Sequence, residues 1–138
     1  MGSAEREDLK NEWSILQGQS DSYEKYSLLI KLLNIGILSA AYISDNMGIL
    51  ILFIVLVLWM QDAIWKTFQS RIEHRLLQIE KYLLEGVHDK AYQFNSDYLK
   101  NRPGSIALVN EYLRQMIRPT IAFPHVVLVL MLVFELLK

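Results

Sequence analysis

The chain has 138 residues, of which 52% are hydrophobic and 21% charged, with a net charge of -1 and no cysteine. One compact unit is expected at this length. The near-zero charge argues against the concentrated basic surface of a nucleic-acid binder, and the lack of cysteine excludes disulfides, thiol nucleophiles and thiolate metal sites.

Charge is concentrated in residues 1–25 and 66–118, whereas 26–60 and 119–138 are nearly free of it. That partition matches two solvents, water and lipid. Residues 1–25 are acidic, with Glu5, Glu7, Asp8, Glu12, Asp21 and Glu24 against Arg6, Lys10 and Lys25. A cleaved signal peptide would instead begin basic and pass directly into a short apolar core. Leu9, Trp13 and Leu16 form an a/d-like stripe, so this segment is expected to be a cytoplasmic amphipathic helix with coiled-coil character.

Residues 26–44 make a first span bracketed by Tyr26 and Tyr42, side chains suited to a membrane interface, and interrupted by Lys31 and Asn34. Gly36 and Ala40 lie four apart, and Gly48 follows beyond the turn. These small residues are expected to let the first two spans pack closely. Asp45 and Asn46 form the turn of a tight hairpin over 26–66. Residues 47–60 carry no charge, and Gln61 to Trp65 extend them to the roughly 20 residues that cross a hydrocarbon core of about 30 Å.

Ile72, Leu76, Ile79 and Leu83 continue the helical stripe, with Gly86 as a stop. The second span is therefore predicted to run on as one helix from about residue 47 to 85, on the order of 58 Å long. Within the water-facing region 67–118, two shorter helices are expected near 88–101 and 105–118, separated by the Arg102-Pro103-Gly104-Ser105 turn. Residues 119–138 form a C-terminal third span, the shortest and most interrupted of the three.

The expected fold is thus all-α: an integral membrane protein with three transmembrane helices, a tight hairpin of the first two, a long second helix entering a cytoplasmic helical bundle, and a C-terminal third. Lys25, Lys66, Arg71, Arg75, Arg114 and Arg118 fall on one side and the Asp45-Asn46 turn carries no cation. By the positive-inside rule the N-terminus and the 66–118 region are cytoplasmic, in a multi-pass protein of the cell membrane.

Ionisable groups in apolar segments are the first candidates for function. Lys31, Asp62 and His125 lie at similar depth by helical rise and can meet. They would form either a polar vestibule, with Asp62 as a cation or proton site and His125 as its titratable partner, or a structural set, which is favoured: Lys31 snorkelling, Asp62 paired with it or capping a wet interface, and His125 bonded to a carbonyl freed by Pro124. Glu135 lies near the outer end of the third span, reaching headgroups or, in an oligomer, forming an acidic ring. Trp59, Trp65 and Phe68 read as an aromatic belt.

No catalytic set emerges. His74, His88 and His125 lack metal-ligand spacing, and there is no Gly-rich phosphate loop or nucleophile elbow. No cofactor is expected. The reading is a non-enzymatic membrane-anchored subunit or adaptor that acts through its cytoplasmic helices. Its partners are the lipid bilayer and a further protein, either another copy or a membrane or cytoplasmic protein. The alternative is a homo-oligomeric channel or pore-forming effector.

Overall fold

The computed structural model describes residues 2–87 and 89–138; His88 lies outside the described residues. The described residues form five helices: α1 (Gly2–Ile43), α2 (Ile49–Glu85), α3 (Phe94–Lys100), α4 (Ser105–Met116) and α5 (Pro119–Leu136). Helices α1, α2 and α5 are each long and apolar enough to cross a membrane.

The acidic N-terminal segment and the first apolar segment form one unbroken helix of 42 residues, about 63 Å long at 1.5 Å per residue. No glycine or proline between Gly18 and Gly36 interrupts the hydrogen-bond ladder. A short turn over Ser44–Gly48 reverses the chain. The Asn46 N–H donates to the Ala41 carbonyl at 2.9 Å, and Asp45 takes the left-handed conformation at φ 51° that Asp and Asn tolerate best.

Helix α2 then returns antiparallel along α1 for nearly its whole length. Asn34 faces Val55, Ser27 faces Asp62, Glu24 faces Lys66, Ser20 faces Gln69 and Glu12 faces Arg75. Each step along α1 is matched by a step back along α2, so one register holds from end to end. Gly86 ends α2 at φ 71°, and the Gly86 and Val87 N–H groups both close on the Tyr82 carbonyl. That conformation is open to glycine at little steric penalty.

Two apolar cores stabilise the hairpin at opposite ends. Leu9, Leu16, Ile72, Leu76 and Ile79 form one, with Trp13, Tyr82 and Phe94 packed around it. Leu38, Val55, Leu128 and Leu132 form the other, joining α1, α2 and α5. Around the second core, Leu29, Leu32, Leu33, Phe53, Val57, Leu130 and Phe134 point outward and are exposed. Such a continuous apolar exterior suits lipid, not water.

Three features differ from the sequence expectation. The helix expected near 88–101 is reduced to the seven residues of α3, preceded by turns in which Tyr92 adopts φ 57°. The C-terminal span is broken: Phe123, at ψ 131°, leaves the helical region, as the residue before a proline tends to do. Only Pro124–Leu136 then continues as helix, 13 residues or about 20 Å. Finally, Gly36 and Ala40 face outward, and a Cβ added at Gly36 or Gly48 would meet nothing within 4 Å. The close approach expected there is not made within the chain. Asn34, Leu38 and Ala41 are the residues that α1 buries at this end.

Candidate functional site: a buried polar layer

Between the two apolar cores lies a layer of polar side chains that the long hairpin carries at matched levels. Ser27 and Asn34 come from α1, Asp62 from α2 and His125 from α5, and all four are almost completely buried. Ser27, Lys31, Asn34 and Leu38 are spaced four, three and four apart, which places them on one helix face.

Asp62 is the hub. Its Oδ1 accepts a hydrogen bond from the Ser27 hydroxyl, and its Oδ2 pairs with His125 Nε2 at 3.0 Å. Lys31 Nζ stands 3.9 Å from the same oxygen and donates to the Thr120 carbonyl at 2.9 Å. A carboxylate buried in apolar surroundings is tolerated only when paired and hydrogen-bonded. Here both oxygens have partners and a cation lies beside them.

The orientation of His125 follows from its neighbours. Asn34 Nδ2 reaches both the Val55 carbonyl, at 3.3 Å, and His125 Nδ1, at 2.8 Å. A carbonyl can only accept, so the Asn34 amide group is turned with its NH2 toward both. His125 Nδ1 is therefore the acceptor of this bond, and Nε2–H donates to Asp62. The Trp59 indole stacks on the imidazole at 6.0 Å and 18° and donates its Nε1–H to the Met116 carbonyl at 3.2 Å. Asn34 Oδ1 is the buried side-chain atom without a hydrogen-bond partner among the described residues.

Ser27, Asp62 and His125 are the residue types of a hydrolytic triad, but their order is wrong for one. In a triad the histidine lies between serine and carboxylate and takes the serine proton. Here the carboxylate lies between the other two. The layer ties three helices, and Ser27 is bonded to the carboxylate and not to the histidine.

The structure thus brings Lys31, Asp62 and His125 together and adds Ser27 and Asn34, which the sequence reading did not place there. It leaves Glu135 apart. That carboxylate accepts from Lys138 at 2.8 Å, an exposed pair that holds the lysine above its ordinary pKa. Trp59 packs on His125, while Trp65 and Phe68 cluster instead with Tyr23 and Tyr26. His125 bonds Asp62 and Asn34, not a carbonyl left free by Pro124.

Beyond this layer the paired helices carry a second buried polar set. Arg75 contacts Glu12 through Nε at 2.8 Å and Nη2 at 3.2 Å, and Nη2 also donates to the Lys90 carbonyl at 2.7 Å. Glu12 in turn accepts from the Tyr92 N–H at 2.6 Å. This pair pins the turn carrying Lys90 and Tyr92 against the hairpin. Nearer the apolar region, Glu24 is bonded by Lys66 and Gln69, which hold its carboxyl below the usual range. Arg71 lies over the rings of Phe68 and Tyr98 and bonds Glu111 at 3.2 Å. It lines a groove of about 450 Å³ with His74, Gln78 and Asn101. No group of three or more His, Cys, Asp or Glu side chains is placed to hold a metal ion among the described residues.

Compared with known protein families, curated proteins and solved structures, the chain matches none.

Proposed function

We propose that this chain is a small, non-enzymatic, multi-pass protein of the cell membrane that serves as an anchored subunit or adaptor. Its N-terminus, the polar half of α2, α3 and α4 lie on the cytoplasmic side, where the exposed face of α2 presents a docking surface to a protein partner. The cations Lys66, Arg71, Arg75, Arg114 and Arg118 on that side support the orientation.

One observation carries the choice of an adaptor over a conduit. Asp62 and His125, the polar groups best suited to line a pore, are fully buried and bonded to each other, to Ser27 and to Asn34. A pore-lining residue would face a lumen. Here the same groups form a latch across α1, α2 and α5, fixing the hairpin as a stiff post. On the polar half of that post Leu77 and Leu84, seven residues apart, are largely exposed and offer an apolar ridge for a partner helix. The homo-oligomeric pore is the second reading, supported by the outward face of Gly36 and Ala40, which another copy could approach closely.

The test is site-specific photocrosslinking from Leu77 and Leu84 in native membranes. A discrete adduct with a different protein from either position, lost when the other position is changed (Leu84→Glu with the probe at 77, Leu77→Glu with the probe at 84) in variants that retain helicity, supports the adaptor. Adducts only between copies of this chain contradict it.

A further inference from the structure

We infer that α4 is an interfacial helix, docked through an apolar stripe onto anionic lipid headgroups of the leaflet nearest the N-terminus. This rests on the reading that α1, α2 and α5 cross a membrane, and adds a lipid-binding surface to it.

The depth of α4 is fixed by its contact with α2. Trp65 lies seventeen positions after Gly48, about 26 Å of helix, close to the thickness of a hydrocarbon core. The cluster of Tyr23, Tyr26, Trp65 and Phe68 therefore marks the boundary on the N-terminal side. Trp59 lies six residues, about 9 Å, to the apolar side of Trp65. Since the Trp59 indole bonds the Met116 carbonyl, the C-terminal end of α4 sits below that boundary. Helix α4 has 12 residues, about 18 Å, so even standing upright it would reach only about 9 Å above the aromatic cluster. Any tilt lowers it further.

The outward face suits that depth. Ile106 (88% exposed), Val109 (52%), Leu113 (48%) and Ile117 (75%) are spaced three, four and four apart, forming one stripe. The opposite side, with Leu108, Glu111 and Gln115, turns inward. Arg102 comes just before the first turn of α4 and Arg114 and Arg118 lie at its C-terminal end, all three exposed, whereas Glu111 is already held by Arg71. Cations at both ends of an apolar stripe beside the membrane boundary are complementary to anionic lipid. Arg114 and Arg118, at the deeper end, can snorkel to phosphates. A soluble partner could not reach Leu113 and Ile117 below the boundary, and a two-fold copy would set the same cations against one another.

The native chain has no cysteine, so the test uses Val109→Cys and Leu113→Cys, with the exposed Leu77→Cys on the water-facing part of α2 as reference. Each is reconstituted at one copy per nanodisc, in phosphatidylcholine alone or mixed with phosphatidylglycerol, and labelled with a water-soluble maleimide. In the anionic discs, labelling at positions 109 and 113 should be about tenfold or more slower than at 77, since burying either side chain is worth more than about 1.4 kcal/mol. Adding Arg102→Gln and Arg114→Gln should recover most of that rate. Rates equal to the Leu77→Cys reference would overturn the inference. So would protection seen only with two copies per disc, which would assign the stripe to self-association, or equal protection in phosphatidylcholine alone, which would remove the role of anionic headgroups.

Discussion

Glu12→Met isolates the contribution of the buried ion pair to the water-facing half of the hairpin. Glu12 and Arg75 are 4% and 2% exposed, and removing the carboxylate deprives Arg75 Nε of its acceptor and Nη2 of one of its two, and orphans the Tyr92 N–H. Breaking a buried pair on one side costs about 3–5 kcal/mol. The Lys90 carbonyl stays bonded to Nη2, and Asp97 remains 3.6 Å from Nη1, which favours the lower end, about 3 kcal/mol. Hydrogen exchange in nanodiscs reads this locally: amides around Leu9 to Leu16 should exchange on the order of 100-fold faster. Glu12→Met combined with Arg75→Met should recover most of the loss, because an apolar pair of similar volume carries no uncompensated charge. If Glu12→Met alone changed exchange by less than about threefold, equivalent to about 0.6 kcal/mol, the pair would not hold the two helices together.

Three further outcomes are expected. Asp62→Leu removes the acceptor of Ser27 and His125 and the counter-charge of Lys31; at about 0.6–1.7 kcal/mol per polar contact in a bilayer it should lower stability by about 2–3 kcal/mol in detergent unfolding titrations. Nitrogen-15 NMR of His125 should show the proton on Nε2 and a bare Nδ1 accepting from Asn34, and a proton found on Nδ1 would contradict the assigned orientation. Because the folded Glu24 carboxyl lies below its ordinary value of 4.5, its pairing with Lys66 stabilises above that pH and is lost as pH falls through the folded value. The carboxylate side chain is 64% exposed, so solvent screening keeps this below about 1 kcal/mol; a Lys66→Met variant should lose correspondingly less stability than the parent on acidification.

The apolar segments were legible because uncharged runs such as 47–60 have few alternatives to a long helix. The meeting of Lys31, Asp62 and His125 was legible from helical rise alone. Ser27 and Asn34 were missed, since Asn34 was read only as an interruption of the first span. The signal was the spacing Ser27, Lys31, Asn34, Leu38, which puts the polar residues on the buried face. Glu12 was likewise read only as one of six acids in the N-terminal segment. Only the register of α1 against α2 pairs it with Arg75, and register is a tertiary property. The small-residue pattern at Gly36 and Ala40 misled for the converse reason: close packing there needs a partner on that side of the helix, and α2 and α5 both lie on the other.

The most direct test of the account is ion and proton flux in proteoliposomes carrying the purified chain under an imposed membrane potential. With Asp62 and His125 closed into a latch, flux should match protein-free vesicles, and Asp62→Asn should leave it unchanged. Flux well above that background, abolished by Asp62→Asn, would contradict the latch and establish the buried layer as part of a conduit.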